Sequence, residues 1–310
     1  MEAGPQQSHA ASAPGSGILL VDKPAGLTSH GVVAAARRAL GTRKVGHAGT
    51  LDPMATGLLV LGVGSSTRLL TWLVGADKTY ETTIRLGRAS TTDDSEGELG
   101  PAASPAALAA ADDEAIAAGV RELSGDILQR PSAVSAIKVD GRRAYARVRD
   151  GETVELPARA VRVDRFDVTA VRRTDDAIDV DAVVDCSSGT YIRALARDLG
   201  ERLGVGGHLT ALRRTRVGPL RVADACALDA DLRAALRPAA EIAAALFPTV
   251  QLDAATAADL AHGKRIRVSA PDAHTVAALA PDGHLIGLVE VAAGVARVLT
   301  NFPPEPPGVP

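Results

Sequence analysis

The sequence predicts an α+β protein in which strands and helices share a main domain and a small β-rich domain follows. Three observations predict it. Segment 79–86 alternates, with Tyr80, Thr82, Ile84 and Leu86 on one face and Glu81, Thr83 and Arg85 on the other, and 177–186 repeats the pattern with Ile178, Val180, Ala182 and Val184. Segment 190–203 instead spaces Ile192, Leu195, Ala196, Leu199 and Leu203 as the stripe of an amphipathic helix. The tail, 246–302, breaks into short strand-like runs around the hairpin signal Pro281-Asp282-Gly283.

Composition narrows the class. A chain of 310 residues has room for roughly two domains, and 46% hydrophobic residues rule out wholesale disorder. No apolar run approaches the roughly 18 residues of a membrane span, so no membrane partner is expected. Cys186 and Cys226 are too few for a disulfide framework or a thiolate zinc cage, and the N-terminus lacks the features of a signal peptide. A cytoplasmic protein is expected. The formal net charge of −3 is unevenly spread. Segment 89–114 carries Asp93, Asp94, Glu96, Glu98, Asp112, Asp113 and Glu114 with no Lys or Arg. Basic runs stand at Arg37, Arg38, Arg43 and Lys44, at Arg142, Arg143, Arg147 and Arg149, and at Arg213, Arg214, Arg216 and Arg221. Singly each reads as solvated surface; together they point to a polyanion.

Residues 1–16, rich in Ala, Ser, Pro and Gly, are expected to be a disordered tail. A strand over 18–21 precedes a helix capped by Thr28 or Ser29, ending near Leu40 with Gly41 as its stop. Residues 42–57 lack periodicity and read as a loop; 58–63 reads as a buried strand and 65–74 as a helix. The acidic stretch 89–114 reads as a surface excursion leading to a helix near 113–124, and 126–152 as an arm. Strands are expected at 160–169 and 177–186, and again within 209–222, turning at Gly218-Pro219. A boundary near 235–245 separates a main domain of 17–240 from the tail domain of 246–302, whose helix is expected at 254–262.

The densest chemical signal is Gly46-His47-Ala48-Gly49-Thr50-Leu51-Asp52-Pro53-Met54-Ala55-Thr56-Gly57. Its glycines and proline fix an unusual backbone path around one carboxylate, Asp52. On spacing alone two readings stand: Asp52 caps a turn, or it is a catalytic group presented by a loop. No metal is expected, because His47 and Asp52 are the only plausible ligands there and the other histidines lack ligand spacing. No Gly-x-Ser-x-Gly elbow occurs, and Gly62-Val63-Gly64-Ser65-Ser66-Thr67 lacks the P-loop lysine.

The loop resembles the catalytic motif of the TruB family of pseudouridine synthases, and further motifs of that family follow in order. Val21-Asp22-Lys23-Pro24 with Gly26, Thr28 and Ser29 resembles its opening motif, and Asp77-Lys78-Thr79-Tyr80 the motif bearing its active-site tyrosine. Gln129-Arg130-Pro131, Ser135-Ala136-Ile137-Lys138 and Tyr145-Ala146-Arg147 resemble its tRNA-contacting arm. Cys186-Ser187-Ser188-Gly189-Thr190-Tyr191-Ile192-Arg193 resembles its arginine motif, and Gly207-His208 through Leu212-Arg213-Arg214-Thr215 its last core motif. The arm reads Pro131-Ser132-Ala133-Val134, where many members have a second proline and an aromatic.

The resemblance covers about residues 17–220. It implies a central, mostly antiparallel mixed sheet flanked by helices, with the tail similar to a PUA-like domain. It implies isomerisation of a uridine in the tRNA T loop, commonly numbered 55, to pseudouridine, with no cofactor. The arm favours the bacterial branch, so no guide RNA is expected, and nothing suggests more than a monomer. Asp52 is implied as the catalytic carboxylate, Arg193 as its guanidinium partner and Tyr80 as the platform for a flipped base. Tyr191 and Leu212 are implied pocket walls, with plain core packing as the alternative. His47 is implied to contact the RNA loop, with a turn-stabilising role as the alternative. Lys23 and Arg213 are candidate phosphate contacts.

Overall fold

The computed structural model describes residues 15–132, 138–139, 142–143 and 156–302. The expected tail at 1–14 and the arm residues 133–137, 140–141 and 144–152 lie outside the described residues.

The apolar run GILLVDK forms β1 (Gly17–Lys23). Thr28 caps α1 (Ser29–Leu40) by accepting from the Gly31 N–H at 2.9 Å, and Gly41 closes it in the left-handed region. β2 (Val45–Ala48) and β3 (Thr56–Val63) form an antiparallel pair. The segment expected as one loop over 42–57 thus contains β2 and the start of β3, which leave loops at 42–44 and 49–55. A glycine and a histidine fill half of VGHA and mask the strand period in the sequence. A 3-10 helix (Gly64–Leu69) and α2 (Leu70–Val74) lead to β4 (Lys78–Leu86).

The acidic stretch holds α3 (Pro105–Ala110) and α4 (Asp113–Glu122), capped by Ser104 and Asp112. β5 (Gly125–Gln129) follows. The start of the segment read as an arm therefore belongs to the main sheet, and a two-residue pairing of β6 (Lys138–Val139) with β7 (Arg142–Arg143) lies beyond it. β8 (Arg159–Arg173), β9 (Ile178–Cys186), α5 (Ile192–Arg202) and β10 (Gly207–Val217) complete the centre. β11 (Leu220–Arg221) turns back on β10, and β12 (Cys226–Ala227) joins β1.

The ten strands run in the order β12-β1-β3-β10-β4-β9-β8-β5, with β2 and β11 as side branches. Only β12–β1 and β3–β10 are parallel, so the sheet is mixed and mostly antiparallel. One face is covered by α1, α4 and α5 through Val32, Ala36, Leu40, Ile116, Leu195 and Leu199. The other is apolar along β1 and β3, where Ile18, Leu20, Leu58 and Val60 enter a second core, and polar along β4, β9 and β8, where it carries Arg85–Asp179, Arg165–Asp185 and Arg172–Asp181 ion pairs.

After α6 (Ala239–Leu246) come β13 (Thr249–Gln251), α7 (Ala254–Ala261), β14 (Ile266–Arg267), β15 (Ala273–Leu279), β16 (Leu285–Ala292) and β17 (Val295–Asn301). These strands form a separate five-stranded sheet, β13-β15-β16-β17-β14, with its own apolar core. Leu285, Leu288 and Phe302 bury against Leu58, Val60 and Leu69 of the main domain, and Trp72 packs edge-on against Phe247. No helix among the described residues is long and apolar enough to cross a membrane.

Candidate active site

The 49–55 loop is held from below by the chain that precedes α1. The buried Lys23 ammonium donates to the carbonyls of Pro24 (2.9 Å), Leu27 (2.6 Å) and Pro53 (3.1 Å). The Gly26 N–H donates to Pro53 O at 2.9 Å, and Ser29 Oγ both donates to Leu51 O (3.0 Å) and accepts from Leu51 N (2.8 Å). Its three N–H donors all go to backbone carbonyls, so Lys23, expected as a candidate phosphate contact, here braces the loop. Burial pulls its pKa down to about 8.

Arg214 braces the loop from the sheet side. It is buried on β10 and donates from Nε to Leu58 O (2.8 Å) and from Nη2 to Gly49 O (3.1 Å). Arg213, one residue earlier, points to the opposite sheet face, as strand geometry requires. It forms a two-pronged pair with Asp22 (3.0 and 2.7 Å), and Asp22 neutralises its charge. Of the arginine pair, Arg214 lines the cavity next to Asp52, and Arg213 does not. A strand register fixed in advance would have separated the two. The basic run 213–216 is likewise spent internally, because Arg216 donates to Thr79 Oγ1 at 2.7 Å and pairs with Asp185.

Asp52 stands beside a cavity of about 300 Å³ lined by Gly49, Thr50, Leu51, Lys78, Tyr80, Tyr191, Leu212 and Arg214 among others. Arg193, in the first turn of α5, reaches it with Nε at 3.0 Å from Oδ2 and Nη2 at 3.2 Å from Oδ1. The same guanidinium donates to Thr92 O (2.8 Å) and lies 3.2 Å from Asp94 Oδ2. Burial pushes the Asp52 carboxyl above the usual carboxylate range; Arg193 opposes the rise, Asp94 adds to it and Lys23 opposes it. Burial and the Arg193 guanidinium therefore act on the Asp52 carboxyl in opposite directions.

The Asp93–Asp94 turn is the part sequence reasoning missed. Residues 89–114 read as a solvated excursion, yet Ser90, Asp93 and Asp94 are buried. Asp93 takes a left-handed backbone (φ 60°) and accepts from Ser132 Oγ (2.6 Å) and Arg197 Nη1 (3.1 Å). Arg193 and Arg197 are one helical turn apart, so α5 grips this turn with two guanidinium groups. The one available signal was the paired spacing of Arg193 and Arg197 opposite an acidic doublet.

The remaining expected residues are placed as follows. Tyr80 is buried on β4 and lines the cavity; burial pushes its phenol up, against the pull of Arg214. Tyr191 immediately precedes α5 and lines the cavity, and Leu212 lines it from β10. His47 lies on β2 outside the cavity lining, with its ring edge-on to His30 at 5.5 Å. Lys78, which the sequence reading had not singled out, lines the cavity and donates to Val74 O (3.0 Å) and Ala76 O (2.6 Å).

Comparison with known proteins shows the family. The profile of the TruB family pseudouridylate synthase N-terminal domain matches residues 37–192. Those of the tRNA pseudouridylate synthase B C-terminal domain and of the tRNA pseudouridine synthase II C-terminal region match 193–251 and 247–303. The tRNA pseudouridine synthase B of Leifsonia xyli subsp. xyli is 61% identical over 295 residues, covering 94% of this chain and 98% of that one. That of Thermobifida fusca is 55% identical over 294 residues, covering 92% and 98%. Among solved structures, a chain of a Cbf5-Nop10-Gar1 complex superposes with a TM-score of 0.69 at 25% identity, covering 93% of this chain and 85% of that one. A chain of an H/ACA RNP bound to a substrate RNA shares the fold at TM-score 0.68 and 24% identity, covering 93% and 85%. The chain belongs to the TruB family of pseudouridylate synthases.

Proposed function

We propose that the chain converts a uridine in the T loop of tRNA, position 55 in the common numbering, to pseudouridine, without guide RNA, metal or cofactor. The observation that carries the reading is the Asp52–Arg193 pair set in a cavity walled by Tyr80, Tyr191 and Leu212. The names of the relatives, tRNA pseudouridine synthase B, support tRNA as the substrate.

The reaction breaks N1–C1′ of uridine, turns the uracil, and joins C5 to C1′; the C5 proton leaves and N1 gains one. It is redox-neutral, so acid–base and nucleophilic groups suffice. The target base must leave its stack, at a cost of a few kcal/mol, offset by contacts inside the pocket. Tyr80 offers the ring face for that base, with Leu212 and Tyr191 closing the walls. Asp52 is the reacting group in each of three routes: attack at the sugar, attack at the base, or removal of a sugar proton. Arg193 orients the carboxylate and opposes the burial that would keep it protonated.

The test uses an unmodified tRNA transcript tritiated at uracil C5. Tritium release equal to one T-loop uridine per tRNA, abolished in Asp52→Asn, is the expected result. No release from the wild-type protein would overturn the reading.

A further inference from the structure

Arg159 stands apart among the arginines of β8. The other four are each engaged by a carboxylate: Arg162 by Asp164, Arg165 by Asp185, Arg172 by Asp181 and Arg173 by Asp113. Among the described residues, Arg159 forms no ion pair. Its guanidinium instead lies over the Tyr191 ring, 5.1 Å from the centroid. It also sits beside Gly189, where an added Cβ would come 3.8 Å from Nη1. Tyr191 and Gly189 both line the catalytic cavity, so the half-buried guanidinium is at its lip.

The backbone holds it there. Arg159 is the register partner of Gln129 at the end of the β5–β8 pair, and directly opposed residues project to one face. Gln129 is buried and clasps the Tyr191 backbone twice, accepting from its N–H at 2.8 Å and donating to its carbonyl at 3.0 Å. Two adjacent side chains of one strand pair thus address the two parts of Tyr191, Gln129 its backbone and Arg159 its ring. The cavity is also cationic. Lys78, Arg193 and Arg214 line it, against Asp52 in the lining and Asp94 behind Arg193.

We infer that Arg159 binds a phosphodiester of the RNA backbone flanking the nucleotide held in the cavity, while its guanidinium face packs on Tyr191. A guanidinium suits this double duty: it offers a planar face to the ring and N–H donors along its edge to phosphate oxygens. The inference rests on the proposed RNA substrate and adds a residue that reads the backbone.

The test compares wild type with Arg159→Gln, Arg159→Lys and Arg162→Gln, the last an exposed arginine of the same strand outside the site. Each is measured for equilibrium binding of the unmodified tRNA transcript across a salt series and for single-turnover rate at saturating tRNA, with circular dichroism to confirm folding. Arg159→Gln is expected to weaken binding about tenfold and to lower the log Kd–log salt slope by about 0.7–0.9, the value of one phosphate contact. Its rate at saturation stays near wild type, Arg159→Lys recovers the slope, and Arg162→Gln changes neither. Unchanged affinity and slope in Arg159→Gln would overturn the inference, as would a loss matched by Arg162→Gln. A fall in saturated rate with the slope intact would also overturn it, because the arginine would then act only through Tyr191. If wild type neither binds nor modifies the transcript, the proposed function itself fails; wild-type turnover with an indifferent Arg159→Gln removes this inference alone. A misfolded Arg159→Gln leaves Arg159→Lys against Arg159→Met to decide, through the same slope.

Discussion

Arg193 lies 3.0 Å from the Asp52 carboxylate and, through another nitrogen, 3.2 Å from that of Asp94, and the two acids differ in environment. The Asp52 side chain is 33% exposed, whereas that of Asp94 is 3% exposed and accepts from Thr92 Oγ1 and the Glu96 N–H. Asp94 is therefore the fixed end of the triad and Asp52 the end open to substrate. Asp94→Asn keeps the shape and removes the fixed charge. The expected outcome is a single-turnover rate lowered about tenfold or more, since roughly 1.4 kcal/mol of lost positioning is a factor of ten. Asp94 also raises the Asp52 pKa, so the acid limb of the rate profile should move to lower pH in this variant. Rates from pH 4 to 8 check both; an unchanged rate would show that Asp52 alone positions Arg193.

Asp52 itself ties activity to stability with opposite signs. Its folded carboxyl is raised above its unfolded value, so the fold favours the protonated form. The ionised form therefore costs stability above the raised pKa, and that cost fades as pH falls toward the ordinary aspartate value. Catalysis in each proposed route needs the ionised form. Wild-type activity should fall on the acid side at a pH above the usual carboxylate range. Asp52→Asn should lose all product yet melt at or above the wild-type Tm at pH 7, with the gap closing on acidification. Paired melting curves at pH 4 and 7 decide it, and a large Tm loss at pH 7 would mean that the Arg193 pair outweighs burial.

How much of this was legible follows from where periodicity carries information. The β4 and β9 alternation and the α5 stripe are visible because one face of each is buried against a single core. β2 escaped because glycine and histidine fill half of its four positions. The 49–55 loop stands out in the sequence through its glycines and its lone carboxylate, and Arg193 through its motif. What binds to what could not be read. Lys23 and Arg213 stand out in the sequence only as cations, because a cation's partner is set by tertiary packing, and here the fold gives Lys23 the carbonyls of Pro24, Leu27 and Pro53 and gives Arg213 the Asp22 carboxylate. Asp93 and Asp94 looked solvated for the same reason: burial of a charge depends on an arginine about 100 residues later.

Lys23 yields a prediction that separates bracing from binding. Lys23→Met removes a buried ammonium that satisfies three carbonyls. Hydrogen bonds to charged groups are worth roughly 1.5–3 kcal/mol, and the orphaned carbonyls add a desolvation cost. A stability loss of about 3 kcal/mol is expected, together with weakened catalysis because Pro53 adjoins Asp52. The salt dependence of tRNA binding should stay at its wild-type slope, since no phosphate contact is lost. Chemical denaturation and a binding salt series measure the two effects; a shallower slope with normal stability would restore Lys23 as an RNA contact.

Gly57 marks the most constrained point of the site scaffold. It sits at the start of β3 with φ 97°, where side-chain-bearing residues are strained. An added Cβ would come within 2.8 Å of the Arg214 backbone nitrogen and closer still to its carbonyl oxygen. The contact is backbone against backbone across the parallel β3–β10 pairing of Arg214 with Gly57, so no rotamer change relieves it. Gly57→Ala must therefore move β10, and with it the Arg214 guanidinium that holds the Gly49 carbonyl and the Leu212 wall of the cavity. The expected cost is about 3 kcal/mol or more, the range of backbone strain combined with overpacking. Activity should fall further than stability at temperatures where the variant is still folded. Gly46→Ala, whose added Cβ would meet only the flexible Leu70 side chain at 3.1 Å, is the matched control and should cost far less. Equal losses in the two variants would show that the β3–β10 approach is looser than its register requires.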